Sequence, residues 1–316
     1  MQMIKSIINS LRKIFSFTIY ERKELDIGKR FQIFPSKITL LQLIFIIVVS
    51  TYVIVFGIGL LWVPKYEIST KHFKIYSSTS IENTKNVGEA VELVYDNYFL
   101  FFKDILSETK SDTLLKLKLY DTRNEFKTFN MGSGWAEAYF LGDTCYAYYP
   151  QNEVHPSQWM EHEVVHQLNE VIAKFKLEKW LDEGIADYFG TSVIREGKLN
   201  LGEVDINTYP VWLLKSLEIS GNLKEDIDKK RIIPLRSIIT GNGGPSMNTS
   251  FNLYYIHWWS LTHYLIHREN GKHKDAFLNL VRDGGNLESF EKNIEKVELI
   301  ESEWYEYLKE LKKLIR

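Results

Sequence analysis

His-Glu-Val-Val-His at residues 162–166 and Trp-Leu-Asp-Glu-Gly-Ile-Ala-Asp-Tyr-Phe at residues 180–189 are the two stretches that decide how this chain folds. In an α-helix, residues four positions apart lie on one face, so the imidazoles of His162 and His166 can reach the same metal ion. Glu163 lies between them and is placed to act on a water at the metal rather than to bind the metal itself. The first stretch therefore predicts a helix that carries two metal ligands and a general base.

The second stretch supplies the acidic groups that such a site needs. A catalytic zinc ion takes three protein ligands and keeps one position open. Glu183 lies on a second predicted helix, 17 residues after His166, which leaves room for a loop and an antiparallel return. Asp187 follows one turn later and can accept a hydrogen bond from the outer ring nitrogen of a ligand histidine. The sequence predicts one Zn²⁺ per chain, bound by His162, His166 and Glu183, with Asp187 behind them.

Together the two stretches resemble the pattern of the gluzincin zinc metallopeptidases, in particular their peptidase MA-like domains, in which HExxH is followed by WLxEGxAxYF. The resemblance covers roughly residues 70–316 and extends to HFKIYSS at residues 72–78 and LLKLKLYDT at residues 114–122. It implies the same three zinc ligands, Glu163 as the general base and Asp187 as the supporting carboxylate. It also implies a peptide or protein substrate.

The resemblance points to two further features of the site. Gluzincins of this sort commonly supply a tyrosine from a later helix to stabilise the oxyanion, and Tyr255 is the candidate in this chain. Tyr254, His257 and His263 are the alternatives. The substrate backbone usually pairs with a strand edge just before the active-site helix, which places residues 144–149 in that role.

Charge is unevenly distributed along the 316 residues, whose net charge of −2 gives no reason to expect a nucleic-acid partner. Residues 1–37 carry eight Lys or Arg against three Asp or Glu, and residues 38–64 carry no charged side chain. The apolar run at residues 40–63 would extend about 36 Å as a helix, against a hydrocarbon core of roughly 30 Å. The positive-inside bias then predicts a basic cytoplasmic arm at 1–37, a transmembrane helix through the lipid bilayer at 38–64 and an extracytoplasmic domain at 65–316.

We expect an α+β fold class: a zincin-like metallopeptidase domain preceded by that single transmembrane helix. Its strand-rich half, residues 65–156, would contribute a small mixed sheet, and residues 157–316 would form a mainly helical half with the zinc site. The periodicity of the apolar residues predicts a helix at 83–106. Alternation and turn residues predict four strands, at residues 72–78, 114–120, 137–140 and 144–149. The single cysteine, Cys145, excludes an internal disulfide and a cysteine-built zinc site.

Three other functions compete with a membrane-anchored endopeptidase. Gluzincin aminopeptidases carry a Gly-x-Met-Glu-Asn strand whose glutamate holds the substrate amine. In this chain residues 134–138 read Gly-Trp-Ala-Glu-Ala, with Glu137 25 residues before His162, so Glu137 is the candidate amine anchor. A membrane-tethered, non-catalytic binding module could keep the same fold. An integral membrane protease would need several apolar spans, whereas this sequence has one.

Overall fold

The computed structural model describes residues 40–59, 61–106, 114–133 and 136–314. The chain divides after Tyr52, and the unit from Val53 onward contains both sheets and the candidate site. The predicted basic arm at residues 1–37 lies outside the described residues.

Helix α1 spans Leu40–Gly59, inside the stretch that was expected to cross a membrane. Within the described ranges, no helix combines the length and the apolar character that a bilayer crossing requires. The predicted transmembrane helix at residues 38–64 is therefore wrong. The last described turn of α1 contains Gly57 and Gly59, and glycine is a weak helix former. Beyond it, Trp62 packs on Tyr120 with ring centroids 4.6 Å apart. The membrane sides assigned to the arm and the domain stay predictions.

The larger sheet has five strands among the described residues, in the order β1-β2-β3-β5-β4. They are β1 (Tyr66–Ser69), β2 (Phe73–Ser77), β3 (Leu115–Tyr120), β4 (Ala138–Leu141) and β5 (Thr144–Tyr148). The central strands β2, β3 and β5 run parallel, with Ile75 opposite Leu117 and Leu117 opposite Cys145. The outer strands β1 and β4 are antiparallel to their neighbours. This strand order puts β4 at one edge of the sheet.

Helices cover one face of this sheet and continue to the end of the described chain. Helix α2 (Ile81–Phe101) is capped by the preceding Ser80, whose side chain accepts a hydrogen bond from the backbone N–H of Asn83. The other helices are α3 (Arg123–Phe129), α4 (Gln158–Gln167), α5 (Lys179–Gly190), α6 (Leu223–Asp228), α7 (Leu235–Thr240), α8 (Met247–Gly271), α9 (Lys274–Arg282), α10 (Leu287–Asn293) and α11 (Val297–Leu314). The main core lies between the sheet, α2, α4, α5 and α8.

The fold class is mixed α/β, which corrects the expected α+β class with its transmembrane helix. Parallel neighbours cannot be joined by a hairpin and need a crossover. Helix α2 provides that crossover between β2 and β3, so helices and strands interleave instead of segregating. A second sheet, β6 (Ser192–Arg195) with β7 (Lys198–Val204), also lies within the half that was expected to be mainly helical.

Local predictions succeeded where the pattern was strong. The helix expected at 83–106 and the strands expected at 72–78 and 114–120 are confirmed as α2, β2 and β3. The strands expected at 137–140 and 144–149 are confirmed as β4 and β5, which pair antiparallel around a turn where Gly142 has φ +69°. Such a φ favours glycine because a Cβ would clash.

Candidate metal centre

The three predicted ligands come together where α4 packs against α5. The Nε2 atoms of His162 and His166 lie 3.1 Å apart. Glu183 Oε2 lies 3.4 Å from His162 Nε2 and 3.6 Å from His166 Nε2. All three potential ligand atoms are within 4.8 Å of one another. Helical spacing on α4 and the antiparallel return of α5 are enough to produce this triangle.

The outer ring nitrogen of each histidine is held by an aspartate of α5. His162 Nδ1 lies 3.0 Å from Asp187 Oδ1, and His166 Nδ1 lies 2.9 Å from Asp182 Oδ2. An ionised carboxylate only accepts hydrogen bonds, so Nδ1 is the donor in each pair when the aspartate is charged. The paired Nε2 atoms are thereby turned toward Glu183. This is the usual arrangement around a metal-bound histidine.

The donor set fits a zinc ion. Glu183 Oε2 is buried and has no hydrogen-bond partner in the described part of the chain. A buried carboxylate oxygen without a partner is costly, and a cation among the two Nε2 atoms would satisfy it. Two imidazole nitrogens and one carboxylate oxygen are ligands that zinc takes in catalytic sites. His162, His166 and Glu183 are the residues that would hold it.

The charges around the two imidazoles also favour a cation. Burial lowers the pKa of His162, but Asp187 and Glu183 outweigh that effect and raise it to about 10. Burial lowers the pKa of His166 as well, and Asp182 and Glu183 reverse the direction. Burial raises the pKa of Asp187 to about 7 despite its bond to His162. The neighbouring carboxylates therefore favour positive charge at the two imidazoles.

Asp182 is the functional residue that sequence reasoning missed. Adjacent residues on a helix point about 100° apart, so helical spacing does not bring Asp182 and Glu183 to the same histidine. The two ligand histidines lie one turn apart, however, and Asp182 meets His166 while Asp187 meets His162. A signal was present in the sequence: two aspartates flank Glu183 within five residues, as two ligand histidines would require.

Glu163 lines the cleft beside the ligands and is only 8% exposed. Burial raises the pKa of its carboxyl group, against the lowering influence of His162 and His166. Its backbone carbonyl accepts a hydrogen bond from Cys145 Sγ at 3.3 Å, which ties α4 to the sheet. The structure therefore places Glu163 in the cleft wall, and its role as general base stays a prediction.

Of the four candidates for the oxyanion donor, Tyr255 alone lines the cleft. Its ring centroid is 6.5 Å from that of His162, and burial together with Glu183 raises the pKa of its hydroxyl. The Tyr254 hydroxyl donates to the carbonyl of Pro245 at 2.9 Å. The two histidine alternatives form hydrogen bonds elsewhere in the core. His257 accepts one from the N–H of Ile233, and His263 bonds to the Tyr307 hydroxyl and the Gly202 carbonyl.

The cleft in front of the ligands has a volume of about 1380 Å³. Strand β4 borders one side, so the expectation that residues 144–149 provide the free strand edge is wrong: β5 is internal, between β3 and β4. Aromatic side chains from three separate segments also line the cleft: Trp159, Tyr209, Trp212, Phe251 and Tyr255. Tyr209, 5.5 Å from Tyr255 by ring centroids, was not predicted because it comes from an irregular segment with no motif.

Glu137 also lines the cleft, but its carboxylate is already engaged. Arg123 binds both of its oxygens, and the Nζ atom of Lys127 lies 3.6 Å from Oε1. These cations lower the pKa of Glu137 although burial opposes them. Gly134 and Trp135, the start of the aminopeptidase-like stretch, lie outside the described residues.

Residues 158–285 match a family model described as "Protein of unknown function (DUF1570)". No curated protein matches the chain. The matched segment contains the ligands, Glu163 and Tyr255 but not Glu137. The description names no activity, so a function must be inferred from the chemistry of the site.

Proposed function

We propose that this chain is a zinc-dependent metallopeptidase that hydrolyses peptide bonds of a peptide or protein substrate. The observation that carries the proposal is the triangle of His162 Nε2, His166 Nε2 and Glu183 Oε2 in the wall of a large cleft, with Glu163 beside it. The resemblance of HEVVH and WLDEGIADYF to the gluzincin pattern, which involves the same residues, supports the same conclusion.

The residues of the cleft divide the chemistry between them. When bound, a zinc ion would supply Lewis-acid chemistry, which activates water and polarises a carbonyl group. Glu163 would accept the proton of the attacking water and deliver it to the leaving amine. Tyr255 would donate a hydrogen bond to the carbonyl oxygen as negative charge develops there. Its raised pKa keeps the hydroxyl protonated and able to donate.

Endopeptidase activity fits this cleft better than aminopeptidase activity. An amine anchor needs a carboxylate free to bind the ammonium group of a substrate. Glu137 is instead neutralised by Arg123 and Lys127. Strand β4 offers a free edge at the cleft, where an extended substrate can add as a further strand.

Replacement of Glu163 tests the proposal. Glutamine keeps the size of the side chain but cannot accept a proton, so Glu163→Gln should leave zinc content unchanged and lower turnover about 10²–10⁴-fold. The measurements are zinc content of the purified full chain and cleavage of a diverse peptide library, mapped by mass spectrometry. Glu170→Gln removes the same charge from an exposed position in the cleft and should retain activity. A zinc-loaded wild-type chain that cuts no peptide would refute the proposal and favour a non-catalytic binding module.

A further inference from the structure

A chain of hydrogen bonds continues outward from His166 into the core. Asp182 Oδ2 accepts a hydrogen bond from His166 Nδ1 at 2.9 Å. Its other oxygen, Oδ1, accepts one from the side-chain N–H of Asn169 at 2.7 Å. Asn169 Oδ1 in turn accepts from the hydroxyl of Tyr98 at 2.6 Å. Four side chains from α2, α4, α5 and the segment after α4 are thus connected in one line.

The hydrogen-bonding capacity of each group gives this line a single direction. The carboxylate of Asp182 can only accept, so it must receive the amide N–H of Asn169. This leaves Asn169 Oδ1 to accept from Tyr98, whose buried hydroxyl has its pKa raised by burial and then by Asp182 and remains a donor. Tyr98 is fully buried and Asn169 is 3% exposed, so water cannot readily replace either bond.

Asn169 occupies this place because the backbone changes its winding. Directly after α4 the chain forms a π-helical turn, Leu168–Ala173, which ends at Lys174 in the left-handed conformation. A π-turn inserts an additional residue per turn and shifts the side chains that follow, and such turns are frequent at functional sites. In this turn Asn169 lies next to Asp182 on α5 and Tyr98 on α2.

The two aspartates behind the ligands differ in how much they need such support. Asp187 is 1% exposed and is held by the packing of α5. The side chain of Asp182 is 34% exposed and lies in the first turn of α5, where solvent competes for its oxygens. Without a second bond, Asp182 could adopt rotamers that release His166.

We propose that Asn169 and Tyr98 are positioning residues for the metal: they hold Asp182 so that it keeps the Nε2 atom of His166 directed at the ion. The inference rests on the metal binding in the proposed function but not on peptidase activity. Neither residue touches metal or substrate. Their effect should therefore appear in zinc affinity and should pass entirely through Asp182.

The test is the zinc affinity of the full-length chain, measured by competition with a chromophoric chelator. Changes in the groups that support a ligand typically weaken metal binding 10- to 100-fold. One step further out, Asn169→Ala should weaken it about 10-fold and Tyr98→Phe by less. Tyr95→Phe, one turn earlier on α2 and outside this line, is the matched control and should leave affinity unchanged. Thermal unfolding of the metal-free variants reports whether each one folds.

A double-mutant cycle separates positioning from a merely structural role. In an Asp182→Asn background, Asn169→Ala should cause little further loss of zinc affinity, whereas in an Asp187→Asn background its full effect should persist. Equal losses in both backgrounds, or folded single variants with wild-type affinity, would overturn the inference. If Asn169→Ala fails to fold, Tyr98→Phe in the same two backgrounds decides. A wild type that binds no zinc would overturn both proposals, but one that binds zinc and cuts no peptide would overturn only the peptidase.

Discussion

His162 Nε2 and His166 Nε2 lie 3.1 Å apart in the wall of the cleft. Two ligand atoms bound tetrahedrally to one zinc ion at about 2.05 Å are separated by roughly 3.3 Å. The distance between the two nitrogens is therefore already close to the one that a shared zinc ion requires. One turn of helix α4 sets this distance, and the aspartates of α5 set the direction of the rings.

Loss of Glu183 should abolish most metal binding. Glu183→Ala removes a ligand and leaves two imidazoles, so zinc content should fall far below one per chain. Asp187→Asn keeps the shape but loses the charge behind His162, so affinity should fall by about 10- to 100-fold. Equilibrium dialysis measures both. Glu153→Ala is a control, since Glu153 lines the same cleft but is not among the residues that could hold the metal. Full zinc occupancy in Glu183→Ala would place the third ligand elsewhere.

Tyr255→Phe should separate catalysis from metal binding. The variant loses only the hydroxyl, so zinc content should be unchanged while kcat falls about 10²–10³-fold, as for other lost oxyanion donors. Tyr254→Phe is the adjacent control, because its hydroxyl bonds to Pro245 and does not line the cleft. Steady-state kinetics on a cleaved peptide give the comparison. Unchanged kcat in Tyr255→Phe would remove this residue from the mechanism.

Gly184→Ala should disturb the site through helix packing. A Cβ at this position would collide with Thr262 Oγ1 and lie 2.9 Å from the carbonyl oxygen of Trp258, so α5 and α8 would have to separate. We expect a loss of about 1–3 kcal/mol in the free energy of unfolding, which is typical of overpacking. Zinc affinity should weaken as well, because Glu183 moves with α5. Urea denaturation and chelator competition measure the two effects.

Gly57→Ala is the matched control for that substitution. A Cβ at Gly57, in helix α1, meets no atom within 4 Å, so the same chemical change should not lower stability. If Gly184→Ala behaved like the control, close packing of α5 on α8 would not be what positions Glu183.

The stability of the fold should depend on pH through His155. This buried side chain lies 3.0 Å from Glu161 and 3.4 Å from Asp205. Burial lowers its pKa, but the two carboxylates outweigh burial and raise it. A raised pKa contributes stability that is fully present below the unfolded value of about 6.5 and is lost as pH rises through the folded value. The unfolding free energy of wild type minus that of His155→Gln should therefore shrink from pH 6 to pH 9.

His273→Gln is the control of opposite sign. Burial lowers the pKa of His273, so its neutral form contributes stability above about pH 6.5 that is lost as pH falls. A pH-independent difference for His155→Gln would show that His155 does not titrate between its two carboxylates.

The sequence alone was sufficient for features that depend on residues close together in the chain. The spacing of His162, Glu163 and His166 follows from the pitch of a helix, and α2 and β3 follow from the periodicity of their apolar residues. Glu183 and Asp187 could be inferred because a zinc site needs a third ligand and a carboxylate behind it. Such inferences require no knowledge of how distant segments pack.

Tertiary packing decided the rest, because these features join residues that no local pattern connects. Tyr98 meets Asn169 across 71 positions of sequence, and a π-turn that periodicity does not predict places Asn169 there. The pairing of β3 with β5 makes β5 an internal strand and leaves β4 at the edge of the sheet beside the cleft. Asp182 contacts His166 only because α5 packs against α4. Side-chain chemistry determined which ion this chain is proposed to hold, and the packing of helices on a mixed sheet determined how each proposed ligand is positioned.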